Sequence, residues 1–379
     1  MWGRPRDDRS APAVRVAAAI LLALCAAGCG GLARFAPSPD PGPVRAEQQD
    51  PAREPVGVTT RELDDVARGR RLATTIWYPA APGTSEETIW WDGIFPGRGA
   101  WEAPMRATPT HMPLVLLSHG SGGDGANLAW LAEALATAGY LVAAVDHPGD
   151  RFGDSSAAGR FAAWRRPADL SVVLDSLAAD PALGPRIDVR RVGAAGHSAG
   201  GFTVLSIAGA RLDPEALLAY CRGPKAGPDC ALFGDVDLGV FPDLADARRS
   251  HRDRRIRAVL ALVPVFGPGV TVPSLRAVTT PVTVVGLERD ELVPFALNAA
   301  HYARAIPRAR LERVPEAGHF VFMPVCSEAG RLLVAQVCVD RTAVVDRAAV
   351  HARVAADAVA FFDRVLRART GARTVAATR

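Results

Sequence analysis

The chain has 379 residues, 49% hydrophobic and 22% charged, with a formal net charge of +4. That length holds one large domain or two ordinary ones with a substantial core. So small an excess of positive charge gives no case for a nucleic-acid partner, and since Lys225 is the only lysine, nearly all of it is arginine, scattered without a basic stripe.

At the N-terminus, Arg4, Arg6, Arg9 and Arg15 precede an apolar run over 16–27. This is the n-region and h-region pattern of a secretory signal, and the run is short for a spanning helix of about 20 residues. It ends in Ala26-Ala27-Gly28-Cys29, which resembles a bacterial lipobox. The resemblance implies that residues 1–28 are removed, that Cys29 is lipidated, and that the protein is anchored in the bacterial cell envelope, on the periplasmic or outer surface. Ordinary cleavage nearby and an uncleaved anchor are the alternatives. Residues 29–55, rich in Pro, Ala and Gln, read as a flexible tether. The folded domain is expected over 56–368 and a disordered tail over 369–379.

The domain opens with a strand over 71–79, where Leu72, Ile76 and Trp77 are β-compatible. Residues 81–111 carry Gly, Pro and tryptophans without clean periodicity and read as a long irregular connection. From 113 the rhythm alternates. Strands are expected at 113–117, 141–145, 191–197, 258–263, 282–286 and 310–314, and helices at 127–138, 167–179, 199–208 and 348–367. Pro167 suits a first helical turn, and Val350, Val354, Ala358, Phe361 and Val365 form one stripe of the last helix. Continuous apolar strands separated by helices imply a mostly parallel central sheet covered on both faces, an α/β domain. The stretch 211–255 interrupts the alternation and is either a lid over a site or surface decoration.

Cysteine usage agrees with export. Beyond Cys25 and Cys29, the remaining four fall as two close pairs, Cys221 with Cys230 and Cys326 with Cys338, suited to local disulfides in an oxidising compartment. Four cysteines allow three pairings, and reduced, buried thiols are the plainer alternative. No C-x-x-C or other zinc-ligand spacing is present, and no metal is implied.

Gly196-His197-Ser198-Ala199-Gly200 fits G-x-S-x-G between an expected strand and an expected helix. The chemistry needs that setting. A tight turn, cleared of side chains at 196 and 200, leaves Ser198 exposed at the strand's C-terminal end, and the Ala199 N–H can then stabilise an oxyanion. Serine needs a base oriented by an acid. His319, in a loop after a strand, is the best base, since His301 and His351 sit within expected helices. Asp290 lies just past the strand at 282–286 and is the best acid, with Glu288 and Glu291 as alternatives in the same loop. The second oxyanion donor is expected from Ser118-His119-Gly120-Ser121-Gly122-Gly123. Ser121 N–H is the first choice and Gly120 the second, with His119 orienting the loop.

The same loop satisfies a rival pattern. Gly120 to Gly125 matches G-x-G-x-x-G, and Asp146 follows at about the spacing of a dinucleotide site. That reading leaves Ser198, Asp290 and His319 idle and suits an exported chain poorly.

Several segments together resemble the predicted dienelactone hydrolase group of the α/β-hydrolases and its platelet-activating-factor acetylhydrolase-like relatives. They are Trp77-Tyr78-Pro79-Ala80, the run 113–120, Val145-Asp146-His147-Pro148-Gly149, Arg166-Pro167-Ala168-Asp169-Leu170, the elbow through Gly201, and Ala317-Gly318-His319-Phe320. The resemblance spans about residues 58–367. It implies an α/β-hydrolase fold, a Ser198–His319–Asp290 triad, oxyanion donors at Ser121 and Ala199, and no cofactor. Dienelactone hydrolases proper use cysteine, so serine here favours a carboxylic ester, short-chain or phospholipid-like. In that family's Asp-His-Pro-Gly turn, Asp146 and His147 are expected to be structural, and Arg166 and Asp169 to pair along their helix. The alternative from another class is a non-catalytic surface lipoprotein that binds a ligand in a disabled hydrolase pocket.

Overall fold

The computed structural model describes residues 53–108, 111–233, 236–315, 317–340 and 345–367. The signal segment, Cys29 and the expected tail lie outside the described residues. Strands β1 (Val56–Asp65) and β2 (Arg70–Pro79) form a long antiparallel hairpin, and β3 (Glu87–Trp91) and β4 (Phe95–Trp101) form a second. Then come β5 (Met112–Ser118), β6 (Leu141–Val145) and a small ribbon of β7 (Asp150–Arg151) with β8 (Asp154–Ser155). The last strands are β9 (Ile187–His197), β10 (Ile256–Leu262), β11 (Val282–Leu287) and β12 (Ala309–Val314).

The main sheet runs β12-β11-β10-β9-β5-β6-β2-β1-β4-β3. From β12 to β6 every neighbouring pair is parallel, and the first hairpin adds antiparallel strands beside β6. Every residue of β5, β6 and β11 is buried. Continuous Leu and Val runs are what a sheet covered on both sides requires. Full burial of one such side chain is worth roughly 1.5–3 kcal/mol.

Helices α1 (Ala129–Thr137), α2 (Arg166–Ala179), α3 (Ala199–Ile207), α4 (Pro214–Cys221), α5 (Ala299–Ala305) and α6 (Arg347–Phe362) complete the layers. α1 packs against α6, and α2 against α3. Val350, Val354, Ala358 and Phe361 of α6 are buried, as their single stripe requires. At Gly193 of β9 a Cβ would come within 2.6 Å of Phe362, so glycine there lets α6 lie close on the sheet.

Two regions differ from the sequence expectation. Within 81–111 the stretch 87–101 is not irregular, because β3 and β4 extend the sheet there. Pro96, Gly97 and Gly99 hide the strand pattern, while Asp92 (φ 49°) and Gly93 (φ 70°) make the left-handed turn that an Asp-Gly pair favours. Strand β1 was not anticipated either, since most of its residues are polar, with Thr60, Glu62 and Asp64 facing outward. The stretch 211–255 holds α4 and short 3-10 turns. Its Phe233 and Phe241 pack against Phe161, and Phe241 also meets Trp164 edge-on. Both local disulfides are present, Cys221–Cys230 and Cys326–Cys338. Among the described residues, no helix is long and apolar enough to cross a membrane.

Candidate active site

In chain order β6 follows β5 on one side, but β9 pairs with β5 on the other. The loops after β5 and β9 therefore diverge at a switch point, where open α/β sheets form a crevice at the strand ends. Ser198 occupies the turn between β9 and α3 with φ 57° and ψ −115°, a strained conformation for serine. Its N–H donates to Leu262 O at 2.9 Å, which fixes the turn to the end of β10. The flanking glycines are required by contact. A Cβ at Gly196 would lie 2.3 Å from Gly200 O, and one at Gly200 would lie 1.9 Å from Ser118 O.

Ser198 Oγ lies 3.1 Å from His319 Nε2, and His319 Nδ1 lies 2.8 Å from Asp290 Oδ2. With Nδ1–H donating to the carboxylate, Nε2 is left to accept the Ser198 hydroxyl proton. The other oxygen of Asp290 accepts the N–H groups of Leu292 at 2.9 Å and Val293 at 2.7 Å, so the carboxylate is aimed by its own turn. The two alternative acids are engaged elsewhere. Glu288 pairs with Arg313 at 3.0 Å, and Glu291 accepts the backbone N–H of His319 at 3.0 Å.

The short turn His319–Phe322 is tied down one carbonyl at a time. His197 donates to His319 O at 3.3 Å, His351 to Val321 O at 2.7 Å, and Trp130 to Phe322 O at 2.9 Å. Trp130 also stacks on His351, ring centroids 4.2 Å apart. His351 thus supports the turn from behind, and His301 on α5 takes no part in it. Burial, and then the nearby His319, hold His197 down to about 3, so it remains neutral beside the candidate base.

The loop after β5 lies directly against the elbow: a Cβ at Gly120 would be 3.5 Å from Ser198 Cβ. Ser121 N–H has no partner among the described residues, and Ala199 N–H belongs to the unpaired first turn of α3. Both donors are available to a developing oxyanion. His119 Nδ1 donates to Gly120 O at 2.7 Å, and its Nε2 accepts His147 N–H at 3.0 Å, so it spans the loop and the end of β6. The acid that a dinucleotide site would use is spent here. Asp146 accepts Gly125 N–H at 2.8 Å, and Asp124 caps the following turn.

Sequence reasoning missed a second array. Ser118 Oγ lies 2.9 Å from His147 Nε2, and His147 Nδ1 lies 2.9 Å from Asp169 Oδ2. All three residues are 0% exposed, whereas Ser198 and His319 each retain 4%. Asp169 also accepts from Arg68 at 2.7 Å and from Arg70 at 2.8 and 2.9 Å. Burial pushes its carboxyl up, but bonds to His147 and Arg70 hold it well below the usual range. The expected Arg166–Asp169 pair along α2 is therefore absent. Arg166 turns instead to Asp150 and His119 O, because tertiary partners outcompete a neighbour one turn away. No cluster of His, Cys, Asp and Glu among the described residues could hold a metal ion.

A family model described as the alpha/beta hydrolase family matches residues 114–336. A solved structure, a ferulic acid esterase from Streptomyces cinnamoneus, aligns with a TM-score of 0.55 at 24% identity, covering 84% of this chain and 92% of that one. No curated protein matches by sequence.

Proposed function

The chain belongs to the alpha/beta hydrolase family, and from that premise we propose that it is an exported serine esterase with Ser198 as nucleophile. The Ser198–His319–Asp290 relay, at 3.1 and 2.8 Å, carries this reading. Ser198 Oγ attacks the ester carbonyl while His319 Nε2 takes its proton. Asp290 holds the tautomer that leaves Nε2 free and stabilises the imidazolium. The tetrahedral oxyanion is met by Ser121 and Ala199 N–H groups. His319 then returns the proton to the departing alcohol, leaving an acyl-enzyme, and water activated by the same imidazole releases the acid.

Among ester hydrolases we favour the dienelactone-hydrolase-like and platelet-activating-factor-acetylhydrolase-like group, with short-chain or phospholipid-like acyl esters as substrates. The solved neighbour carries an esterase name, which fits this reading while its identity bears on the fold alone. Two disulfides fit an oxidising compartment. Lipidation at Cys29, with a tether reaching the domain near residue 56, supplies the membrane anchor. The stretch 211–255, whose Gly227 approaches Pro294 beyond the Asp290 loop, acts as a wall or lid for the acyl pocket.

The test is turnover of p-nitrophenyl esters of increasing chain length, an oxidised phospholipid included. Wild-type protein turns over at least the short esters and is labelled by a fluorophosphonate, and Ser198→Ala loses both. A folded wild type inert to the ester panel and to the phosphonate sinks the proposal.

A further inference from the structure

We propose that the buried Asp150–Arg166 ion pair is a positioning device that holds the Ser121 N–H in place to receive an oxyanion. The inference rests on the esterase reading and extends it to two residues outside the triad.

Asp150 and Arg166 are each 2% exposed, and their side chains meet through Arg166 Nη2 and Asp150 Oδ2. Both also grip the loop after β5, on either side of Ser121. Arg166 Nη1 donates to His119 O at 2.7 Å, and Asp150 Oδ1 accepts Gly122 N–H at 2.8 Å. The rest of the loop is equally engaged. Gly120 O receives Gly123 N–H at 3.2 Å, and Gly123 O receives Phe152 N–H at 2.8 Å. Within this cage the Ser121 N–H, like that of Gly120, has no partner among the described residues.

A buried ion pair is a poor device for stability alone, because well-packed apolar side chains of the same volume do as well or better. What it offers is direction. The guanidinium fork fixes one peptide and the carboxylate fixes another, two residues apart, so the amide between them cannot swing. A donor held before the reaction costs no reorganisation when charge develops. Asp150 comes from β7 and Arg166 from the start of α2, so the loop is braced by elements independent of β5.

The test uses the whole protein. Asp150→Asn keeps an oxygen for Gly122 N–H but dissolves the ion pair, and Asp150→Ala removes both. Losing one oxyanion donor costs about 10²–10³ in kcat. We expect a fall of about 100-fold for Asp150→Ala and about 10-fold for Asp150→Asn on p-nitrophenyl acetate, with KM within about threefold and the acid limb of the pH profile unmoved. Affinity for a trifluoromethyl ketone, which forms a tetrahedral oxyanion on the serine, falls in proportion to kcat/KM. A merely structural role would not produce that proportion. If Asp150→Ala does not fold, Asp150→Asn decides the matter. Variants that turn over at the wild-type rate while folded, or that lose rate without losing analogue affinity, overturn the inference. A wild type inert to esters and phosphonate overturns the esterase reading and this inference with it, whereas an active wild type with unchanged variants overturns this inference alone.

Discussion

Replacing Asp290 by asparagine separates the role of this carboxylate from its contribution to the fold. The side chain accepts three hydrogen bonds: two from Leu292 and Val293 N–H on one oxygen, and one from His319 on the other. An amide oxygen keeps the two backbone donors, so the turn is preserved. The amide NH₂ then faces His319 Nδ1, and two donors cannot meet. The imidazole is driven to the tautomer that carries its proton on Nε2, and Ser198 Oγ, 3.1 Å away, meets an N–H that cannot accept its proton. The expected loss is about 10⁴ in kcat, or about 5.4 kcal/mol in activation free energy. Glu291→Gln keeps an oxygen for His319 N–H, and Glu288→Gln touches only the pair with Arg313; each is expected to cost less than about tenfold, an order that follows from losing no transition-state contact. The assay is p-nitrophenyl acetate hydrolysis with the active fraction counted by phosphonate titration. An Asp290→Asn enzyme within tenfold of wild type, or a Glu288→Gln enzyme as impaired as Asp290→Asn, refutes the assignment.

Replacing His319 by alanine removes the acceptor of the serine proton and should cost at least about 10⁴ in kcat; a variant within about tenfold of wild type removes His319 as the base. Glu133, on α1 against the β4 backbone, accepts Arg98 N–H at 3.0 Å, and burial raises its carboxyl to about 7. Its folded value lies above the unfolded one, so stability is full below about 4.5 and is lost as pH rises through 7, by about 3 kcal/mol. Glu133→Gln mimics the protonated acid, so its denaturation midpoint should match wild type at low pH and exceed it at pH 8.5; a difference independent of pH contradicts the argument. Removing the Cys326–Cys338 bridge, which spans a separation of 12 residues, should lower unfolding free energy by about 3 kcal/mol. A double alanine variant within about 0.5 kcal/mol of wild type by denaturant titration would show the bridge to be dispensable.

The parts of the candidate site that could be read from sequence are those written locally. Gly196 and Gly200 frame Ser198 within five residues, and Asp290 stands a few residues past the end of β11, where an acid loop belongs. The parallel strands were legible because their runs are apolar throughout. Strand β4 was not, because Pro96 and two glycines break its alternation, and an edge hairpin tolerates them where a central strand would not. The Asp92-Gly93 turn was the available signal. Arg166 and Asp169 stand three apart on α2, and helical spacing predicts that they pair. Their real partners are Asp150, Arg68 and Arg70, which only tertiary packing brings near, and no periodicity announces that choice. The second array was hidden for the same reason, since Ser118 ends β5 and His147 stands just past β6, 29 residues on, and only sheet pairing brings them together.

That second array has a consequence for how reactivity is recognised. Ser118, His147 and Asp169 repeat the hydrogen-bond order of Ser198, His319 and Asp290 at nearly the same spacing, and a search template built on interatomic distances would find two triads in one sheet. Only one can react. Burial, and after it the charge of Arg166, hold His147 down to about 4, and the charge of Asp169 is already shared with two arginines. The molecule thus contains its own control. Comparing the Nδ1 proton resonances of His147 and His319 within a single sample would isolate what solvent access and an unshared counter-charge add to a serine–histidine–aspartate line.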